Sequence, residues 1–168
     1  MKVNELPFYD MSDNTTNCCP RFKPEGWDGQ ELHFQHKRFV KAESRSMLHF
    51  PLNLGRVFDR VQRKITAADA WNPEDYVVLS HDPSPWKSEH YFAVDQDIEG
   101  EQMAELSGTF LSKVFEGPFQ DAGKWSRELV MLAHNAGKEI KRVYFFYTTC
   151  PKCAKAYGKN YVVGFAEV

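Results

Sequence analysis

The chain from Gly108 to Gly137 predicts a strand, a tight turn and an amphipathic helix. From Thr109 to Glu116 the side chains divide between two faces with the period of two that a strand imposes. Gly117 and Pro118 interrupt this strand, because proline has no N–H to donate to a ladder. The helix that follows ends where Gly137 can form a left-handed cap. Its apolar residues form a single stripe: Ala122, Trp125, Leu129, Leu132 and Ala133.

Two apolar runs, Val143 to Tyr147 and Tyr161 to Val168, complete a strand-helix-strand-strand unit. The preceding part of the chain predicts the same order: a strand from Phe39 to Phe50, a helix capped by Asn53 that carries Val57, Val61 and Ile65, and strands from Tyr76 to Ser80 and from Tyr91 to Asp95. The text PLNLGR from Pro51 aligns with PFQDAGK from Pro118 when one residue is inserted. This parallel indicates an internal duplication.

The expected fold is α+β. Two such units would form one antiparallel sheet with both helices on one face and a ligand cleft on the other. The pseudo-repeats cover about 39–97 and 105–168 of a single domain, 31–168, on which an N-terminal arm, 1–30, packs. Met1 to Asn17 is polar and is expected to be flexible or draped.

The segment from His81 to His90 predicts a long loop between two strands. It contains two prolines and Trp86, and it is longer than a hairpin turn requires. Two interpretations remain open. The loop is either a lid over a site or a segment that Trp86 anchors to the body.

Composition and charge exclude several functional classes. The formal charge of the 168 residues is −2 and the charged residues are interspersed, so no basic stripe for nucleic acid exists. No apolar run reaches the roughly 20 residues of a membrane span, and the N-terminus lacks a secretory pattern, which favours a cytoplasmic protein. Aromatic residues make up 14% of the chain, enough to line a ligand cavity as well as to fill a core. Monomer and homodimer are both compatible with the sequence.

The four cysteines occur as two pairs, Cys18 with Cys19 and Cys150 with Cys153. The CxxC spacing is typical of zinc knuckles, and the first pair would complete a four-thiolate site if the arm folds across the last hairpin. Two alternatives remain open: reduced cysteines without a special role, and a redox or disulfide pair. A thioredoxin-type enzyme is disfavoured, because its CxxC opens a helix after the first strand of a βαβ unit, whereas this CxxC is expected in a loop between the last two strands.

Together with the duplicated order, the text VFEGPFQDAGKW, with its turn Gly117, Pro118 and Phe119, resembles the second-half signature of GyrI-like proteins. This is the effector-binding domain family, also fused to multidrug-sensing transcription regulators. The texts CCPRF and CPKCAKAYGKNYVV resemble a stand-alone bacterial subgroup labelled as hydrolases. The resemblance implies a pseudo-twofold, aromatic-lined cleft with an acidic residue at its base, which binds bulky, planar or cationic molecules. CPKCAKAY departs from the acidic, proline-containing loop that is usual before the last strand.

Glu116 is the first candidate for acid or base chemistry, because a strand-end carboxylate in a cleft can have a raised pKa. His49 is its counterpart in the first unit when the two Pro turns are aligned, and we expect both residues at the floor of the cleft. Candidate rings for stacking on a ligand are Trp86, Tyr144, Tyr147 and Tyr161.

The leading hypothesis is a cytoplasmic GyrI-like protein that binds a small hydrophobic or cationic ligand and acts either by binding alone or as a hydrolase of bulky or reactive compounds. The alternative is a non-catalytic module that sequesters ligands or contacts a protein, braced by a structural zinc. Serine-nucleophile chemistry is not supported, because the sequence has no G-x-S-x-G.

Overall fold

The computed structural model describes residues 1–168 and contains seven strands and three α-helices. In chain order they are β1 (Glu31–Met47), β2 (Phe50–Pro51), α1 (Leu54–Ala67), β3 (Val78–Ser84), β4 (Lys87–Ala93), β5 (Gln102–Glu116), α2 (Ala122–Asn135), β6 (Arg142–Tyr147), α3 (Pro151–Tyr157) and β7 (Tyr161–Glu167). No helix combines the length and the hydropathy that crossing a bilayer requires.

The strands form a closed antiparallel barrel, where one open sheet was expected. The order β1-β4-β3-β6-β7-β5 returns to β1, because β5 also pairs with β1 from Glu31 opposite Leu111 to Lys41 opposite Gln102. The α+β class is confirmed. The open sheet is corrected: β1 and β5 are both long enough to pair with each other as well as with β4 and β7, and this pairing closes the sheet.

Each half of the chain contains a strand, a helix and two strands. The pairings are also equivalent, since β1–β4–β3 in the first half matches β5–β7–β6 in the second. The halves meet at β1–β5 and at a short contact between β3 and β6, where Ser80 lies opposite Phe145. An origin by duplication stays a prediction, although the equivalent pairing agrees with it.

The helices α1 and α2 lie on the outside of the barrel, and their buried stripes are those predicted. Val57, Val61 and Ile65 of α1 are buried, as are Trp125, Leu129 and Ala133 of α2. Trp125 stacks on Phe115 of β5 with ring centroids 5.4 Å apart. Amphipathic spacing alone was sufficient to predict these faces, because each helix has only one layer of the barrel to pack on.

The N-terminal arm, residues 1–30, closes one end of the barrel. Its side chains Leu6, Tyr9, Phe22 and Trp27 are buried in the same cluster as the barrel interior. Phe146 of β6 contacts the rings of Tyr9, Phe22 and Trp27 at centroid distances of 5.8, 6.3 and 5.5 Å. Leu6 and Tyr9 anchor Met1 to Asn17 to the body, so of the two expected states, flexible or draped, the structure shows the draped one.

Three local expectations are corrected. The segment His81 to His90 is mostly strand, and β3 and β4 form a hairpin that turns at Pro85 and Trp86, so no long lid exists. The chain between β6 and β7 is a short helix, α3, where a loop was expected. Asn53 precedes α1 but its side chain accepts a hydrogen bond from the Arg45 N–H at 2.6 Å and does not cap the helix.

Gly164 of β7 faces α2 where the helix approaches most closely. A Cβ at this position would lie 2.6 Å from Cδ1 of Leu129 and 2.8 Å from Cε2 of Phe115, both of which are buried. We expect Gly164→Ala to lower the free energy of unfolding by about 1–3 kcal/mol through overpacking. Urea denaturation followed by circular dichroism measures this. The matched control is Gly123→Ala in the first turn of α2, where the nearest atom is 3.9 Å away and stability should not fall.

His90 of β4 is buried beneath α1, between the hydroxyls of Ser44 and Ser80 at 2.8 Å each. Burial lowers its pKa to about 4. Because the unfolded chain has a His pKa near 6.5 and binds the proton more readily, stability present above that pH is lost as the pH falls towards 4. The loss attributable to His90 reaches about 3 kcal/mol at pH 4.

Urea denaturation at pH 7 and at pH 4 gives the stability that the unmodified protein loses on acidification, and the same pair of measurements gives the loss for His90→Gln. The difference between the two losses is the contribution of His90. The variant should lose that much less stability on acidification. An NMR titration of the His90 ring in the unmodified protein reports the midpoint directly, and a midpoint near 6.5 would contradict the expectation even if the variant fails to fold.

Candidate functional site

The four cysteines come together at the arm end of the barrel. Their sulfur atoms all lie within 4.8 Å of one another, although 131 residues separate Cys19 from Cys150. Cys153 is buried, Cys19 and Cys150 are half-buried, and Cys18 is exposed. The structure thus confirms that the two pairs form one cluster, joining the arm to the segment between β6 and β7.

The local backbone structure orients the thiol groups towards the cysteine cluster. Cys150 is the N-cap of α3, and its sulfur accepts a hydrogen bond from the Cys153 N–H at 3.5 Å, while the Cys150 N–H donates to the Cys19 sulfur at 3.4 Å. Asn17 has a φ of 56°, a left-handed conformation that Asn tolerates better than most residues, and it turns the chain into Cys18. The CxxC therefore opens a helix, although this helix lies between the last two strands.

Hydroxyl groups hold the arm side of the cluster. The Tyr157 hydroxyl donates to the Cys19 carbonyl at 2.5 Å, and the Thr16 hydroxyl lies 3.3 Å from the Cys153 sulfur and 3.2 Å from the Tyr157 hydroxyl. Partners of this kind orient metal ligands in known sites. Four thiols this close cannot all ionise unless a cation offsets their repulsion, and soft thiolates in a four-sulfur set select zinc or iron among the common metals.

A second cluster lies inside the barrel. Five aromatic rings form a closed series of contacts across four strands, which we call the aromatic circuit: Phe34, Phe39, Tyr91, Tyr144 and Phe110, with successive centroid distances of 6.0, 6.3, 6.0, 6.0 and 4.8 Å. All five side chains are buried. Closure of the barrel produces this arrangement, because each ring lies on the inward face of its strand.

The two tyrosines of the circuit point their hydroxyls at carboxylates. Tyr91 donates to Oε2 of Glu89 at 3.0 Å, and Tyr144 donates to Oε2 of Glu167 at 3.4 Å. Arg142 donates to the Tyr144 hydroxyl at 3.2 Å. These groups lie at the end of the barrel away from the arm. We call this end the barrel mouth and define it by Glu89, Tyr91, Arg142, Tyr144 and Glu167.

Electrostatics keep Glu89 ionised. Partial burial opposes its charge, but the Tyr91 hydroxyl and the ammonium groups of Lys41 and Lys87, at 3.7 and 3.8 Å, together lower the pKa of Glu89. Burial, followed by the hydrogen bond to Glu89, raises the pKa of Tyr91, so the proton stays on the phenol. The mouth therefore presents a partly shielded carboxylate next to aromatic surface, an arrangement that suits a hydrophobic or cationic ligand.

The structure does not bring Glu116 and His49 together. Glu116 is the last residue of β5 and is exposed at the arm end, beside α3. His49 is exposed in the turn between β1 and β2, where its Nδ1 lies 3.4 Å from Asp82. Because β1 and β5 are antiparallel, the ends that the aligned Pro turns make equivalent lie at opposite ends of this strand pair. The expected meeting of acid and imidazole is thus corrected, and catalytic roles for these residues stay predictions.

The four predicted stacking residues do not share one cleft. Tyr144 lies in the aromatic circuit, but Tyr147 faces α2, where it contacts Phe119. Tyr161 contacts Phe22 of the arm, and Trp86 is exposed at a hairpin tip. A shared cleft stays a prediction, and the arm covers one end of the interior in which it was expected.

Glu89 and Tyr91 were missed as site residues. The sequence places them two apart, as side chains on one face of a strand must be, and this signal was present in the text SEHYFA. The two prolines near Trp86 predict a loop up to His90 instead, which hides this alternation. Strand pairing across the turn explains the difference, since both prolines lie at or near the turn where no ladder hydrogen bond is lost.

Comparisons with known proteins add the following findings. No curated protein matches the chain. Among solved structures, the chain is similar to SAV2435 bound to tetraphenylphosphonium, at 13% sequence identity and a TM-score of 0.46. The similarity covers 83% of this chain and 92% of that one.

A family model described as "Bacterial hydrolase" matches residues 9–168. The match begins within the N-terminal arm and includes all four cysteines, the aromatic circuit and the barrel mouth. Residues 9–30 of the arm, which pack against Phe146, therefore belong to the part of the chain that the family model matches. The chain belongs to this bacterial hydrolase family.

Proposed function

We propose that the protein is a GyrI-like small-molecule-binding protein that takes a bulky hydrophobic or cationic ligand at the barrel mouth. The observation that carries this proposal is the pairing of two buried tyrosines with two carboxylates, Tyr91 with Glu89 and Tyr144 with Glu167, at the end of the barrel away from the arm. The arm occupies the other end, so a ligand approaches from the mouth. The equivalent strand-helix-strand-strand order of the two halves supports the GyrI-like assignment.

The chemistry of the mouth supports a cation in particular. Lys41 and Lys87 already share the Glu89 carboxylate at 3.7 and 3.8 Å, distances that are long for an ion pair. A ligand cation closer to Glu89 would replace these weak contacts with a stronger one. The tyrosine rings next to it would add cation–π attraction of about 0.5–2 kcal/mol.

We further propose that the four-cysteine cluster holds a structural zinc ion. Four thiol ligands with N–H and O–H groups around the sulfurs match a closed tetrahedral site, which has no open position for catalysis. The ion would fasten the arm across α3. Its role would be to keep Tyr9, Phe22 and Trp27 in the barrel end.

Hydrolysis is the second candidate function, and the family description favours it. Glu89 is the carboxylate that the structure presents next to aromatic surface, whereas Glu116 and His49 remain the candidates from sequence. The contrasting alternative is a module that binds or sequesters ligands or contacts a protein without turnover. Measured turnover separates these readings.

The first prediction concerns the metal. Protein purified without added metal should contain about one zinc per chain by plasma mass spectrometry. Cys153→Ser should remove most of this zinc and lower the free energy of unfolding by about 3 kcal/mol or more, because structural zinc binding is part of the folding free energy. Ser126→Ala, on α2 and away from the cluster, serves as the control and should retain the metal.

Thiol titration of the denatured, unreduced protein distinguishes the alternatives for the cysteines. Zinc predicts four titratable thiols together with one metal per chain. Four thiols without metal would mean reduced cysteines of no special role, and fewer than four would mean a disulfide. Either of these two results would refute the zinc site.

The second prediction concerns Glu89. Glu89→Gln keeps an acceptor for the Tyr91 hydroxyl but removes the charge. We expect the affinity for a lipophilic cation, with tetraphenylphosphonium as the probe, to fall about tenfold in isothermal titration calorimetry, equivalent to about 1.4 kcal/mol. Affinity for a neutral aromatic probe of similar size should change less than twofold. Glu139→Gln, on an exposed residue without an ion pair, should leave both affinities unchanged.

Turnover is tested in parallel with p-nitrophenyl esters of increasing acyl size and with styrene oxide. Loss of turnover in Glu89→Gln with neutral-probe binding intact would support a hydrolase that acts at the mouth. Loss in Glu116→Gln alone would support the catalytic role that the sequence predicts for Glu116 and would place turnover at the arm end. Unchanged cation affinity in Glu89→Gln would contradict binding at the mouth.

A further inference from the structure

A separate pocket of about 300 Å³ lies at the arm end, next to the cysteine cluster. We call it the arm pocket. It is lined by Arg21, Phe22, Thr148, Thr149, Tyr157, Lys159 and Tyr161. Its size is at the lower limit of small-molecule sites and suits a ligand of one or two fused rings.

The cysteine cluster assembles the walls of this pocket. Arg21 and Phe22 follow Cys19 in the arm, Thr148 and Thr149 precede Cys150, and Tyr157 ends the helix that carries Cys153. The Tyr157 hydroxyl donates to the Cys19 carbonyl, which ties the two walls directly. The pocket therefore exists only while the arm is fastened to the segment between β6 and β7.

The pocket is positively charged within a chain whose net charge is −2. Its lining contains two cations and no carboxylate. Lys159 makes no ion pair, and Arg21 uses only its Nε to contact Asp13, at 3.1 Å. The guanidinium group lies over the Tyr157 ring at 4.4 Å, so its two terminal nitrogens remain free to bind an oxyanion.

The remaining walls are aromatic. Phe22 is buried and lies 6.1 Å from Tyr161, with the ring planes inclined at 54°. The Thr148 and Thr149 hydroxyls already donate to the Tyr161 carbonyl and to Asn160, at 2.6 and 3.3 Å, and so offer no free donor to an anion. Arg21 and Lys159 would thus bind the anionic group of a ligand. Phe22, Tyr157 and Tyr161 would stack on its ring.

We propose that the arm pocket binds a planar aromatic anion, such as an aromatic carboxylate or sulfonate. The site differs from the barrel mouth in place and in its charged groups, since its lining has cations and no carboxylate whereas the mouth contains Glu89 and Glu167. The proposal needs the arm in its observed position but does not depend on ligand binding at the mouth. The same cations could instead offset the charge of metal-bound thiolates, and the experiment separates these two roles.

The probe is 2-naphthoate, titrated into the full-length protein at low ionic strength and followed by isothermal titration calorimetry. We expect Lys159→Gln to weaken binding about fivefold and Arg21→Gln about tenfold, with bound metal unchanged in both. Lys138→Gln is the matched control, since this exposed lysine follows α2 and makes no ion pair, and it should bind as the unmodified protein does. The neutral analogue 2-naphthamide should bind at least tenfold more weakly than the acid.

Three results would overturn the proposal. They are no binding of 2-naphthoate at millimolar concentration, equal affinity for the neutral analogue, or unchanged affinity in Lys159→Gln. Loss of metal in Lys159→Gln with unchanged naphthoate affinity would assign the lysine to the thiolate charge. Competition by inorganic phosphate at the same concentration as naphthoate would also overturn it, because aromatic stacking would then contribute nothing.

All variants are compared in one metal state, so these results do not depend on whether the cluster holds zinc. If Arg21→Gln loosens the arm by removing its contact with Asp13, Lys159→Gln still decides the question. Lys159 contacts no other charged group, and its replacement should leave the fold intact.

Discussion

The pairing of β5 with β1 is the constraint on which the rest of this structure depends. Together with the short contact between β3 and β6, it joins two three-stranded sheets into a closed barrel, and the inward faces of the barrel strands then enclose an interior that must be filled. Voids in such an interior are costly, because side chains lose their contacts without gaining water. The chain fills the space with large rings: the aromatic circuit in the middle and three aromatic residues of the arm at one end.

The packing of arm side chains into one end of the barrel explains the position of the cysteines. An irregular segment of 30 residues has no strand ladder of its own to hold it, and its anchors are Tyr9, Phe22 and Trp27 against Phe146. The proposed zinc ion would fasten the arm at Cys18 and Cys19, just before Phe22, and would limit the conformations open to it. A crosslink at this point would stabilise the closed end of the barrel more than one near the terminus.

The two ends of the barrel differ in charge. The mouth combines phenol groups with an ionised Glu89, whereas the arm pocket combines ring surfaces with Arg21 and Lys159. Both ends pair aromatic surface with a charged group, but they would select ligands of opposite charge. On these two proposals the ends would bind different ligands without competition, and only the end built by the arm would depend on the cysteines.

What the sequence by itself determined is local. The helix stripes of α1 and α2, the strands β6 and β7, the turn at Gly137 and the grouping of the cysteines follow from periodicity, glycine and residue spacing, since each depends on neighbours within a few positions or on one type of chemistry. Tertiary structure alone decided what depends on distant strands. Closure through β1 and β5 separated Glu116 from His49 and brought Tyr91 next to Tyr144. No local pattern carries that information, because a strand has the same period of two whether its sheet stays open or closes on itself.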